Sequence, residues 1–336
     1  LKLTLCLTAN SLRCSMMAIT RINNFFRRQS FQLLLLSILT LPAGAQSSGE
    51  SSQNLEDAAI ATDTQTGTTS SSQASQSSPN ALVTEAYQLL QSGDSDGALE
   101  HFQQALLIDH QDLAALLGQA MIYAESERHN EAFASYDAIV QTHPRHAFAW
   151  NGRGLAAFNM EDFDTALRSF EQATSEQPIN GFFYETLAWT QMCRGDFSQA
   201  ALSAKTATLM YNKKNESSVY PQLIAYFSYL ETGEVQQAQN SLKYAVQNKP
   251  LNHWPAPVVD YLNDSIDAAE LISYVMDTAQ ETEAHTYIGL KLRANHQPEQ
   301  AKPHFEWVAR HGDTRVFEYT LARVLTLHDS VALLAP

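Results

Sequence analysis

Residues 147–180 read AFAWNGRGLAAFNMEDFDTALRSFEQATSEQPIN, and this stretch decides the fold. Two runs with helical apolar spacing are separated by the acidic turn around Glu161, Asp162 and Asp164 and closed by Pro178. Gly154 and Ala166 are the small residues that two antiparallel helices need where they cross. Phe170 follows one helical turn after Ala166, and Ala173 three residues later. The same pattern returns at intervals of 34 residues. Ala98, Ala132, Ala166 and Ala200 take the crossing position, and Phe102, Tyr136 and Phe170 the large apolar one. Ala105, Ile139, Ala173 and Ala207 come next, while Ala86, Ala120, Gly154 and Ala188 lie twelve residues before each crossing. A helical hairpin repeated at fixed spacing cannot cover its apolar face alone, so neighbouring hairpins must stack.

The 34-residue period resembles the tetratricopeptide repeat (TPR). The resemblance covers about residues 79–328 and implies an all-α, right-handed helical solenoid. Repeats fall at 79–112, 113–146, 147–180 and 181–214; the fourth is the weakest, with Ala204 where an aromatic is usual. The register slips by four residues through Asn215-Glu216-Ser217-Ser218, giving a fifth repeat at 219–252 and a sixth at 282–315. Ser92-Gly93-Asp94, Arg194-Gly195-Asp196 and Glu231-Thr232-Gly233 mark hairpin turns. Pro303 is expected early in its helix, where a missing N–H costs least. Val316 to His328 reads as a capping helix, with residues 316–336 as cap and tail. Residues 253–281 depart from the repeat; Asn263-Asp264 splits them into two short helices, the second capped by Asp264 or Ser265 and running to about Thr278.

Within and after this departure stand Trp254-Pro255, Val258-Val259-Asp260-Tyr261-Leu262, Glu283-Ala284-His285-Thr286-Tyr287-Ile288-Gly289 and Phe317-Glu318-Tyr319. This string, over about 253–327, resembles the C-terminal half of NlpI-like periplasmic TPR lipoproteins. The resemblance implies a non-catalytic scaffold, often a homodimer, working beside cell-wall hydrolases and a processing protease. The lipid-attachment cysteine of that family is missing here at the expected cleavage site.

That site is read from the N-terminal region. Arg27 and Arg28 precede the uncharged run Phe31 to Leu41, broken by Pro42 and followed by Ala43-Gly44-Ala45. This order is that of a secretory signal peptide in residues 1–45, cleaved after Ala45. The apolar run is too short to span a bilayer as a helix, and Met16 or Met17 is the more natural start. Residues 46–78 are rich in Ser, Thr, Gln and Gly and read as a disordered tether. Localisation is expected to be periplasmic or secreted, with no membrane span in the mature chain. Residues 1–45 hold five of the 21 basic residues and no acidic one, so the rest carries 16 basic against 36 acidic residues, a charge of −20. Such a surface repels phosphate backbones, and no nucleic-acid partner is expected.

The TPR resemblance implies a concave groove lined by the first helix of each repeat. The residues it places there are Tyr87, Met121, Phe148, Asn151, Phe158, Phe182, Glu185, Trp189, Tyr220 and Phe227, with Leu90, Leu117, Leu155, Asn159, Met192, Leu223 and Glu231 beside them. The expected occupant is an apolar or aromatic peptide segment, or a helix from the chain itself or a twin subunit; the competing reading makes several of these residues inter-repeat core. His143 and His146 lack a third ligand nearby in sequence. Asn151-Gly152-Arg153-Gly154 does not follow a strand, so it is no phosphate loop. Cys193 is the one cysteine outside the N-terminal region and reads as a half-buried apolar residue. No cofactor, metal or catalytic constellation emerges, so the expected function is an adaptor for an envelope protease or cell-wall hydrolase. The alternatives are an assembly factor for a secretion, pilus or polysaccharide-export machine, and an enzyme with a site assembled only on folding.

Overall fold

A computed structural model describes residues 78–332, with side chains described through residue 327. The signal segment expected in 1–45, and the tether in 46–78 apart from Ser78, lie outside the described residues. Every regular element among the described residues is an α-helix. Four hairpins come first: α1 (Pro79–Ser92) with α2 (Ser95–Ile108), α3 (Leu113–Glu125) with α4 (His129–Thr142), α5 (Ala147–Asn159) with α6 (Phe163–Glu176), and α7 (Gly181–Arg194) with α8 (Phe197–Lys213). Then follow α9 (Tyr220–Glu231) and α10 (Val235–Asn248), the short α11 (Ala256–Leu262) and α12 (Ala268–Ser273), the hairpin α13 (Thr278–Ala294) and α14 (Pro298–His311), and the final α15 (Phe317–Ala332).

Local chemistry sets these boundaries. Ser78, Asp94, Asp112, Asp162 and Asn180 each place a side-chain oxygen where it accepts from a backbone N–H of the first turn that follows, satisfying donors the helix leaves unpaired. Each of the six hairpins turns through one left-handed residue at the same register position: Gly93, Glu127, Glu161, Gly195, Gly233 and His296, with φ between 55° and 90°. Glycine adopts this conformation freely, whereas a side chain there costs roughly 1 kcal/mol.

At the first two boundaries one bulky side chain of a repeat packs into the next. The Phe102 ring, fully buried, lies so close to Gly118 of the next repeat that a Cβ there would stand 2.2 Å from it. Tyr136 meets Gly152 in the same way, at 2.4 Å. The ring of Phe170 lies against Gly154 of its own hairpin, and Phe305 against Gly289. Repeat four reverses the sizes. Ala204 replaces the ring, and the register position that holds Gly118 and Gly152 elsewhere holds buried Ile224. Neighbouring helices pack in chain order; α9 also touches α13, while α11 packs between α10 and α13, so the short helices enter the array between repeat five and the sixth hairpin. One apolar cluster runs from Ala157 to Leu325.

Several local expectations need correction. Asp267, not Asp264 or Ser265, caps α12, accepting from the Glu270 N–H at 2.8 Å. Asp264 is held in a left-handed turn with its carboxylate on the Lys291 ammonium at 2.6 Å, which removes it as a cap. α12 ends at Ser273, and Asp277 starts α13 at Thr278, four residues before the expected repeat. Pro303 is the sixth residue of α14, past the first turn. The α-helical bond to the Glu299 carbonyl is therefore missing, at an exposed stretch where water can replace it.

Replacing Gly152 by alanine is expected to cost about 1–3 kcal/mol, because the Tyr136 ring is buried and has no room to retreat. Urea unfolding of the variant beside the wild type measures this.

Candidate functional site

The inner face of the solenoid is built by α1, α3, α5, α7, α9 and α13, and the final helix meets it. Phe317, the first residue of α15, places its ring against two of the expected groove residues. It stacks on Trp189 at 5.7 Å between centroids with an interplanar angle of 4°, and meets Phe158 edge-on at 5.2 Å. Each such pair contributes about 0.5–1.5 kcal/mol beyond its area burial. Phe158 and Trp189 are in consequence almost wholly buried. Two polar contacts flank the ring. Thr314 Oγ1 donates to Glu127 Oε2 at 2.7 Å, and Arg323 pairs with Glu161 at 3.0 Å. The C-terminal end of the array thus touches the hairpin turns of repeats two and three.

The other expected groove residues divide by burial. Tyr87 and Met121 are buried; Tyr87 gives its hydroxyl to the Ala114 carbonyl at 2.9 Å and packs edge-on against Phe102. Asn151 is buried and accepts from Thr186 Oγ1 at 3.1 Å, which joins repeats three and four. Phe227 is buried against Tyr226 and Tyr287. Phe148, Phe182 and Tyr220 remain half-exposed, Phe148 edge-on to Phe183 at 5.2 Å.

Three carboxylates gather in the interior beside this aromatic group. Glu185 accepts from the Tyr211 hydroxyl at 2.8 Å and from Ser218 at 3.4 Å. Glu283 accepts from Tyr220 at 2.9 Å and from the Trp254 indole N–H at 2.8 Å, and Glu318 from Tyr287 at 3.0 Å. Burial raises the Glu185 carboxyl to about 7; the Tyr211 bond opposes that rise and the Glu318 charge adds to it. Burial, followed by the nearby carboxylates, also lifts Tyr211, Tyr220 and Tyr287 well above the ordinary tyrosine value, so all three stay hydroxyl donors. Sequence reasoning placed Glu185 and Tyr220 on the inner face but missed Glu283, Glu318 and Tyr211 as their companions. The only signal was the presence of Glu283, Trp254 and Phe317-Glu318 in the string that carries the NlpI-like resemblance.

A second polar cluster lies in the sixth hairpin. His285 and His304 share a hydrogen bond between their Nδ1 atoms at 2.9 Å, and Trp307 stacks on His285 at 4.2 Å. Burial, then the neighbouring His304, lowers His285 to about 4. Among the described residues no group of three or more His, Cys, Asp and Glu stands ready to hold a metal ion. His146 instead caps α5, its Nδ1 accepting from the Ala149 N–H at 3.0 Å. Arg153 bonds Asp137 at 2.7 Å and Ser169 at 2.8 Å, which makes the glycine-rich segment part of the stacking. The Cys193 thiol is buried, and burial pushes it far above the ordinary thiol value. A thiol so held does not form the reactive thiolate. No helix among the described residues is long and apolar enough to cross a membrane.

Family models described as tetratricopeptide repeat match residues 83–148 and 149–180. The chain is built of tandem TPR-type repeats. No curated protein matches it. Its structure is similar to that of a tetratricopeptide repeat protein from Parabacteroides merdae, with a TM-score of 0.54 at 16% identity, covering 73% of this chain and 98% of that one. MamA is also similar, with a TM-score of 0.47 at 18% identity over 50% of this chain and 90% of that one. So is YrrB, titled a TPR protein with an unusual peptide-binding site, with a TM-score of 0.47 at 15% identity over 55% of this chain and 91% of that one. At 16% identity the likeness to the Parabacteroides merdae protein shows the fold alone.

The pH dependence follows from Glu185. Its folded value lies above the ordinary 4.5, so the folded chain binds the proton more tightly than the unfolded one. Stability from this group is full below about 4.5 and is lost as pH rises toward about 7. Glu185→Gln keeps an acceptor for Tyr211 and removes the titration. Thermal melts from pH 5 to pH 8 should show the wild type losing stability relative to the variant over that range, with the difference levelling above pH 7.

Proposed function

We propose that the chain is an exported, non-catalytic adaptor of the cell envelope that brings a protease or cell-wall hydrolase together with its substrate. The observation that carries this reading is the aromatic group on the first helices of the repeats, with Trp189 and Phe158 about Phe317, Phe227 against Tyr287, and hydrogen-bonded carboxylates in the same interior. Aromatic side chains in desolvated settings carry a disproportionate share of protein-binding energy. The half-exposed Phe148 and Phe182 leave aromatic surface on the same inner helices for a partner to touch. Two sequence features support the envelope assignment. The Arg27-Arg28, Phe31–Leu41 and Ala43-Gly44-Ala45 order is that of an export signal, and residues 253–327 resemble NlpI-like periplasmic scaffolds. That resemblance also suggests a homodimer. The acidic surface that remains after Ala45 disfavours nucleic acid as the partner.

The test is crosslinking in the intact envelope, with an affinity tag on the wild-type chain and identification of what is recovered. A protease or wall hydrolase, reproducibly enriched, is the expected result. Recovery only of a secretion, pilus or polysaccharide-export component, or turnover by the purified chain alone, would contradict the adaptor role.

A further inference from the structure

We infer that the outer face of α8 and α10 docks on an anionic lipid surface. The case begins with a reversal of charge along the solenoid. Residues 79–180 carry 15 acidic against four basic residues, a net charge of −11. Residues 197–249 carry five lysines against Glu216, Glu231 and Glu234, a net charge of +2. Those three carboxylates stand in turns or at a helix end, and α8 and α10 contain no acidic residue. The repeat register shows the reversal at a single position. Five residues after each crossing alanine stand Gln103, Asp137, Glu171, Lys205, Lys243 and Glu306. The same helix position is acidic in repeats two, three and six and a lysine in repeats four and five.

The face is apolar as well as basic. On α8, Leu202, Lys205, Leu209 and Lys213 follow at helical spacing and share one side. Leu202 and Leu209, with Val235 at the start of α10, are each more than half exposed. Lys205, Lys213 and Lys243 are exposed too, and the two helices meet beside them, where Asn212 Nδ2 donates to the Tyr244 hydroxyl at 2.7 Å. Exposed leucines interleaved with lysines suit a membrane interface. The apolar side chains enter the acyl boundary, and the long lysine stems carry their ammonium groups to the headgroup phosphates. Shape favours the same partner. Peptide and small-molecule sites are concave, whereas the outer surface of a helix is convex and meets a flat lipid surface along its length. The net charge of −20 does not forbid the contact. Charges farther than about 8–10 Å are largely screened at physiological salt, and at this face the lysines stand foremost.

The test is co-flotation of the purified chain beginning at Gln46, the form left by cleavage after Ala45, with vesicles of phosphatidylglycerol and phosphatidylcholine in equal parts. Vesicles of phosphatidylcholine alone are the comparison. The chain is expected to bind the anionic vesicles at least about tenfold more tightly, and to lose that preference as salt rises. Lys205→Glu with Lys243→Glu should weaken anionic binding at least about tenfold. Leu202→Ser with Leu209→Ser should weaken it about fivefold or more, since the apolar contribution goes. Arg145→Glu with Lys302→Glu makes the same change of net charge away from this face, and should leave binding within about twofold of the wild type. All six positions are exposed, and circular dichroism melts check that each variant is folded. No preference for the anionic vesicles overturns the inference and leaves the face to an acidic protein. An equal loss from the control pair and the lysine pair overturns it as well. The vesicles contain no protein, so this test and the envelope crosslinking fail separately.

Discussion

The first two hairpin boundaries of this array depend on a size match between a ring and a gap. A ring projecting from the second helix of one repeat needs a gap in the first helix of the next, as Phe102 does at Gly118 and Tyr136 at Gly152. Where the ring is absent, at Ala204, the matching position is Ile224. The exchange keeps the interior close-packed, and interiors at that density tolerate neither a void nor an added methyl group cheaply. Moving one of these hairpins by a single position would set rings against side chains instead of gaps. The last helix and its lead-in return to the turns of repeats two and three, where Thr314 meets Glu127 and Arg323 meets Glu161.

That return gives the interior its chemistry. Phe317 meets Trp189 and Phe158, and Glu318 arrives beside Tyr287 in a region already holding Glu185 and Glu283. Carboxylates this buried persist because hydroxyl and indole donors satisfy them. Burial raises the proton affinity of Glu185, with the Glu318 charge adding to it, while burial and then the neighbouring His304 make His285 resist protonation. The two effects have opposite signs. Falling pH strengthens the fold through Glu185 and weakens it through His285, whose folded value lies below the ordinary 6.5.

The sequence made the repeats legible because the size match is local: a ring, a gap and a period are all visible within 34 residues. Glycine exposed three of the six turns. Glu127, Glu161 and His296 were unreadable as left-handed residues, since nothing in their types demands that conformation. The interior was half legible. Helical register put Phe158, Glu185, Trp189 and Tyr220 on the inner helices. The groups that meet them come from across the array, as with Thr314 and Glu127, 187 residues apart. Such contacts depend on the accumulated rotation of several hairpins, which no single stretch of sequence states. Tyr211 illustrates the same limit on a smaller scale. It lies against Gly181 in the repeat that lacks the usual ring, and it also donates to Glu185.

The most direct measurement is a double-mutant cycle at the first boundary, with Phe102→Ala, Gly118→Ile and the pair together, each followed by urea unfolding. The pair transplants the arrangement of Ala204 and Ile224 onto Phe102 and Gly118. A size-matched boundary predicts that the double variant is more stable than the sum of the single losses allows, by at least about 1 kcal/mol. Losses that simply add, within about 0.5 kcal/mol, would mean that the ring and the gap do not recognise each other.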